Sequence, residues 1–211
     1  MAQERTLRQR AKRAADVVLA GGVLVFASPL LAGAAAAVLV ALGRPILFRQ
    51  VRIGLDDEPF TLLKLRTMRD SIGPDGQPLP DAERMTRLGA FLRKSSLDEL
   101  PQLLNVLRGE MSLVGPRPLL TQYLGRYSDR QRRRHEVLPG ITGWAQVTGR
   151  NSLSWGEKLE RDVWYVENWS LALDASILAR TAVGVVRGRD VSASGHATMP
   201  EFMGSEDDSA S

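Results

Sequence analysis

The chain has 211 residues, room for one folded domain plus one membrane element, and a formal net charge of +4 from 28 basic and 24 acidic side chains. It has no cysteine and only two histidines, His135 and His196, far apart in sequence; this excludes disulfides, thiolate nucleophiles and cysteine-ligated zinc, and argues against a histidine metal site or triad. Any acid, base or nucleophile must therefore come from carboxylates, lysine or hydroxyls, whose usual partner is a divalent cation held by oxygen ligands. The modest basic excess suits an anionic partner, whether lipid surface, nucleotide or nucleic acid, and does not choose among them.

After a basic N-terminus, residues 1–13, residues 14–43 form an apolar run whose single charge is Asp16. At ~1.5 Å rise per residue the run is long enough to cross a bilayer. Two features argue against a simple crossing. Ser28-Pro29 lies at its middle, where proline removes a backbone donor, and each half of about fourteen residues reaches only roughly 21 Å of the ~30 Å hydrocarbon core. Both flanks are basic, with Arg5, Arg8, Arg10, Lys12 and Arg13 before and Arg44, Arg49 and Arg52 after, which places both ends in the cytoplasm. A re-entrant helix hairpin broken at Ser28-Pro29 satisfies both. A proline-kinked helix that crosses fully is the stronger competitor, because membrane helices tolerate proline. A signal peptide would be shorter and carry a cleavage site, and a core helix of a soluble protein would have to be apolar all round.

Residues 45–54 and 59–66 are β-prone runs separated by the turn-rich Leu55-Asp56-Asp57-Glu58, which predicts a small hairpin. Residues 71–80 read as a Gly- and Pro-rich loop. Helices are predicted over 84–94 and 98–108, the second with Leu100, Leu103, Leu104 and Leu107 on one stripe. Residues 117–137 carry Arg126, Arg130, Arg132, Arg133 and Arg134, and suit either a helix lying on an anionic membrane surface or a solvated charged face. Residues 155–184 read as helix, with Trp164, Tyr165 and Trp169 suited to an interface, and residues 204–211 read as a disordered tail. The expected fold is thus mainly α with a small β-hairpin. Residues 44–203 are expected to make a single domain with interfacial amphipathic helices, joined to the re-entrant membrane hairpin of residues 14–43.

In Ser95-Ser96-Leu97-Asp98-Glu99-Leu100-Pro101 two adjacent carboxylates stand at a predicted helix start, since Pro101 is tolerated within a first turn. Free amides and the helix dipole there favour negative charge, a phosphate included. The same residues match a capping box, Ser96 to Glu99, and taken alone that is the plainer reading. Downstream, Pro116-Arg117-Pro118 fixes the backbone around one arginine, which suits either a phosphate ligand or a rigid exposed turn. Lys64, Arg66 and Arg93 add cations that are individually ordinary surface charges, and Gly149-Arg150-Asn151 follows the glycine-rich turn at 139–147. Carboxylate pair, arginines, glycine loops and a membrane element together describe phosphoryl transfer at an interface.

The strings LLKLRTM, LRKSSLDELPQLLNVLRGEMSLVGPRPLL, PGITGWAQVTGRN and DVWYVENWSLALDASIL resemble those of the bacterial sugar transferase family, the monotopic polyprenol-phosphate phosphoglycosyl transferases, over roughly residues 8 to 190. The length resembles that of the minimal members, and the tail at 192–202 is similar to that of members handling acetamido sugars of the UDP-bacillosamine type. The resemblance implies that Asp98 is the nucleophile that attacks the phosphorus bearing the sugar and expels UMP. It implies Glu99 as the ligand of Mg2+, Lys64, Arg66, Arg93, Arg117 and Arg150 as phosphate-binding cations, and Pro116, Pro118, Asp162 and Asp174 as supporting residues. It also implies that Ser28-Pro29 is the break of the re-entrant helix, that the catalytic domain lies on the cytoplasmic face of the inner membrane, and that polyprenyl phosphate is the acceptor. Expected partners are the UDP-sugar, the lipid acceptor, membrane lipids and later glycosyltransferases.

Three other readings compete. The same fold could transfer a plain hexose-1-phosphate. A non-catalytic membrane scaffold would need neither Asp98-Glu99 nor Pro116-Arg117-Pro118, and nucleic-acid binding, suggested by the arginines at 130–134, fits poorly beside an apolar anchor.

Overall fold

A computed structural model describes residues 2–73, 76, 77, 79–149, 153–186 and 201–204. The chain order is α1 (Ala2–Leu42), β1 (Leu47–Ile53), β2 (Pro59–Leu65), α2 (Asp81–Arg84), α3 (Arg87–Lys94), α4 (Gln102–Arg108), β3 (Ser112–Val114), α5 (Asp129–Arg132), β4 (Gly140–Thr142), α6 (Trp144–Thr148), α7 (Trp155–Asn168) and α8 (Leu171–Val186). The mainly helical class with a small hairpin is as expected. β1 and β2 pair antiparallel from Leu47 opposite Leu65 to Ile53 opposite Pro59, and β3 pairs parallel with β4.

The apolar run is one continuous helix with Pro29 inside it, in place of the expected interruption at Ser28-Pro29. A helical proline cannot donate to the carbonyl four residues back, here Val25. The Ser28 hydroxyl donates to that carbonyl at 2.8 Å, which lets the helix continue through the proline. Both ends of α1 are seated on the rest of the protein. Ala20 and Leu24 pack with Phe60, Leu62, Leu103, Val106 and Met111, while Ala34, Val38 and Leu42 pack with Leu65, Leu92 and Leu97. The middle is bare: Phe26 is 89% exposed, and Val25, Pro29 and Leu30 are exposed with it.

Polar side chains fix these two seats. Asp16, buried in the first half of α1, accepts from the Ser112 hydroxyl at 2.7 Å and the Leu113 amide at 3.2 Å, tying the helix to β3. Lys12 pairs with Asp174 at 2.6 Å, and Tyr165 and Trp169 donate to the same carboxylate at 2.7 and 3.1 Å. At the other end Arg66 donates to the carbonyls of Leu42 and Gly43 and pairs with Asp70 at 2.9 Å, so it satisfies the last carbonyls of α1 and favours the negative end of its dipole.

Three predicted helices are broken. The 84–94 run divides at Met85-Thr86, where Thr86 caps α3 by accepting from the Gly89 amide at 2.9 Å. The 98–108 run is a 3-10 turn over Leu97–Glu99 and then α4, with Pro101 as its cap. Residues 155–184 form two helices, separated at Trp169 and Ser170.

The long basic helix that was one of the two readings of 117–137 is not formed. The segment is 3-10 over Thr121–Arg126, α5, and 3-10 over Arg133–Glu136. Arg134, in the middle of the arginine run, is buried with a side chain only 1% exposed, so the run is not a uniform solvated face. Of the tail expected to be disordered only Gly204 is described; Ser205 onward lies outside the described residues, as does His196.

Candidate active site

The carboxylate pair sits between α3 and α4. α3 is held against the strand end at Thr67, where a Cβ on Gly89 would lie 1.9 Å from the Thr67 carbonyl oxygen. That close approach lets Arg93 Nε donate to Thr67 Oγ1 at 3.1 Å. After α3 the chain turns at Ser96, whose φ of 57° is left-handed, and enters the 3-10 turn carrying Asp98 and Glu99. The capping box read from Ser96 and Glu99 is not formed. Ser96 makes no side-chain cap bond, and Glu99 reaches across to Lys64 of β2 at 2.6 Å and to Arg117 at 2.7 Å.

Arg117 comes from the turn after β3. Gly115 and Gly140 let two backbones cross there: a Cβ on Gly140 would lie 2.1 Å from the Gly115 nitrogen, and one on Gly115 would lie 2.3 Å from the Leu138 carbonyl oxygen. The Gly115 amide donates to Thr142 and the Gly140 amide to Pro116, both at 2.9 Å, pinning the Pro116-Arg117-Pro118 turn against β4. A second clamp holds Arg117 from behind. The Arg117 carbonyl accepts from Arg134 Nη2 at 2.6 Å, and Arg134 donates to Asp162 Oδ2 through Nε at 3.0 Å and Nη2 at 2.7 Å.

The two carboxylates have opposite electrostatic characters. Asp98 is buried, and that burial, reinforced by the neighbouring Glu99 charge, raises its pKa from 3.8 to about 6 against the pull of Lys64, Arg93 and Arg117. Burial would raise Glu99 too, but Arg117 and Lys64 outweigh it and hold Glu99 well below the usual carboxylate range. Glu99 is thus a fixed negative charge, whereas Asp98 is a nearly neutralisable carboxylate. Among the described residues no donor hydrogen-bonds to Asp98, so its oxygens are not tied to the protein.

Of the cations expected to hold phosphate, Lys64, Arg93 and Arg117 converge here. Arg66 does not: it is buried at the C-terminal end of α1, as described above. Arg150 lies outside the described residues. Asp162 supports Arg117 through Arg134, while Asp174 belongs to the anchor of α1. Arg134 escaped the sequence reading because it stands among four other arginines, and only its burial against Asp162 sets it apart.

For a metal, both cation contacts to Glu99 fall on Oε1, so Oε2 and the Asp98 carboxylate are the oxygens that remain for an ion. No group of three or more acidic or imidazole side chains occurs among the described residues. Two carboxylates fit an ion such as Mg2+, which keeps waters and completes its shell with substrate phosphates.

The chain is similar to known proteins over most of its length. Residues 7–188 match the family described as bacterial sugar transferase. The chain is 50% identical over 196 residues to an uncharacterized sugar transferase, EpsL, of Bacillus subtilis, covering 93% of this chain and 97% of that one. It is 46% identical over 180 residues to a UDP-glucose:undecaprenyl-phosphate glucose-1-phosphate transferase of Caulobacter vibrioides, covering 81% and 67% of the two chains. A protein of the same name from Escherichia coli is 41% identical over 180 residues, of which the matched part is 39% of its length. With nearly the whole chain matched and the carboxylate pair set among convergent cations, this protein belongs to the bacterial sugar transferase family.

Proposed function

We propose that the protein transfers a sugar-1-phosphate from a UDP-sugar to polyprenyl phosphate in two displacements, with Asp98 as the nucleophile. The observation that carries this reading is the inequality of the two carboxylates: Glu99 is locked by Lys64 and Arg117, whereas Asp98 is buried, free of donors and raised to about 6. An Asp98 oxygen forms a bond to the phosphorus bearing the sugar, and the bond from that phosphorus to UMP breaks with its electron pair on UMP. A polyprenyl phosphate oxygen then attacks the same phosphorus and releases Asp98 as a free carboxylate. Lys64, Arg93 and Arg117 hold the phosphates, and Pro116 and Pro118 keep Arg117 in place. Mg2+, held by Glu99 and the donor diphosphate, would neutralise charge on the departing phosphate.

The names of the relatives support this chemistry, since those from Caulobacter vibrioides and Escherichia coli are named for the transfer of glucose-1-phosphate to undecaprenyl phosphate. They favour a hexose donor, while the tail at 192–202 favours an acetamido sugar; residues 192–200 lie outside the described residues. We further assign residues 14–43 to a re-entrant hairpin bending near Pro29, and residues 44–203 to a catalytic domain at the cytoplasmic face. The supports are the two seated ends of α1, its bare middle and the basic residues at both flanks.

The test is UMP release from a panel of UDP-sugars by full-length protein in membrane discs with polyprenyl phosphate and Mg2+. Without the acceptor, intact mass should show one sugar-phosphate adduct on Asp98. Silence across glucose, galactose and acetamido donors in folded protein would favour the scaffold reading.

A further inference from the structure

In the sequence Arg52 reads as a basic flank of the membrane run, and Lys158 carries no role, yet the fold brings both to the Arg117 turn. Arg52 stands opposite Phe60 in the hairpin, four residues from Lys64 along the strand direction. Directly opposed residues share a face, so Arg52 and Lys64 rise from the same face about 13 Å apart at ~3.3 Å per residue. Lys64 reaches Glu99 and through it Arg117, while Arg52 Nη1 reaches the Pro118 carbonyl at 3.4 Å. The Pro116-Arg117-Pro118 turn therefore lies between them. Lys158 stands one helical turn before Asp162 on α7, on the face that holds Arg134 and the Arg117 backbone, with Nζ 5.7 Å from the centre of the Trp155 ring.

Arg117 lies close enough to Arg52 and to Lys158 to act on both as a like charge. Among the described residues no carboxylate pairs with Arg52, whose Nε is buried with no hydrogen-bond partner. Burial and the like charge of Arg117 lower Arg52 to about 10 and push Lys158 down as well. A partly buried guanidinium with an unused donor, repelled by its neighbour, is unfavourable unless an anion joins it.

We propose that Arg52 and Lys158, with Arg117, form a second phosphate subsite beside the Asp98-Glu99 pair that takes a phosphate monoester. This rests on the transfer reading above, which supplies two such groups: the UMP that leaves and the polyprenyl phosphate that arrives. In-line displacement makes one subsite sufficient for both. UMP departs from the side of phosphorus opposite Asp98, and the acceptor must attack the phospho-aspartate from that same side.

Equilibrium binding of UMP and of farnesyl phosphate to full-length protein in membrane discs tests the subsite without requiring turnover. Arg52→Gln and Lys158→Met should each weaken at least one ligand by about tenfold or more, the loss of a charge-assisted hydrogen bond. Arg52→Lys should recover part of the loss, and melting temperatures should not fall. Loss for UMP alone assigns the subsite to the leaving nucleotide, loss for farnesyl phosphate alone to the acceptor, and loss for both to a shared site. Wild-type protein that binds neither ligand, or variants that match wild type for both, overturns the subsite. So does a fall in melting temperature with unchanged affinity, which marks a structural role. A failed UMP-release panel alongside ligand-dependent binding would sink the transfer reading and leave the subsite standing.

Discussion

In the proposed transfer Asp98 carries the chemistry, and it also carries a stability cost. Its folded pKa of about 6 lies above the ordinary 3.8, so the folded state binds the proton more tightly than the unfolded chain does. The sign follows: the favourable protonated state is fully present below pH ~4, and stability is lost as pH rises through 6, by about 3 kcal/mol at neutral pH for a two-unit shift. Asp98→Asn keeps the shape and removes the buried charge. It should abolish UMP release at every pH while raising the melting temperature at pH 7, and the stability gain should vanish near pH 4. A variant that loses turnover and also melts lower at pH 7 would contradict this picture. The same pKa predicts that wild-type kcat/KM falls below pH ~6, because only the ionised carboxylate attacks. The Asp98-Glu99 pair was legible in the sequence, but the pairing of Glu99 with Lys64 and Arg117 was not. Ser96 and Glu99 have the spacing of a capping box, and only the left-handed turn at Ser96 and the reach of Lys64 and Arg117 divert Glu99 into the site.

The two acids Asp162 and Asp174 look alike in the sequence and separate once the elements are packed. Asp174 receives Lys12, Tyr165 and Trp169 and so joins α1, α7 and α8. Asp162 accepts from Arg134, which also reaches the Arg117 carbonyl, His135 Nε2 and the Tyr127 ring. Asp174→Ala would leave largely buried Lys12 with Asp16, 4.0 Å away, as its acidic neighbour and should cost about 3 kcal/mol, read as a large drop in melting temperature. Asp162→Asn keeps the volume and one acceptor. It should lower kcat/KM by loosening Arg117 while shifting the melting temperature less than Asp174→Ala does; the reverse order would show the two assignments to be exchanged. Alternation made the hairpin readable to within a residue or two, because period-two patterning and the Asp-rich turn agree. The breaks within 84–94 and 155–184 were not readable. Thr86 and Ser170 act as caps only where neighbouring elements stop the helix, and apolar periodicity continues past both.

At the scale of the whole molecule the seating of α1 constrains how it can meet a bilayer. Its composition announced a membrane element, and the structure adds that both of its ends are bound to one domain by Lys12, Asp16 and Arg66. A helix crossing the bilayer fully would carry its first turns to the opposite face, away from Asp174 and Ser112, and would break those buried bonds. The absence of cysteine makes the topology directly measurable, since any introduced thiol is unique. Gln9 lies near the start of α1 and Ala82 in the domain, and both are exposed. In cytoplasm-out vesicles a membrane-impermeant maleimide should label Gln9→Cys and Ala82→Cys alike, and in sealed cells it should label neither. Labelling of Gln9→Cys from the outside of sealed cells would establish a full crossing, and with it a domain tethered by one end of α1 rather than held at headgroup depth by both. Equal labelling from the cytoplasmic side would leave the exposed Phe26 and Leu30 with only the near leaflet to enter, which keeps Asp98 within reach of a lipid phosphate and of a water-soluble nucleotide.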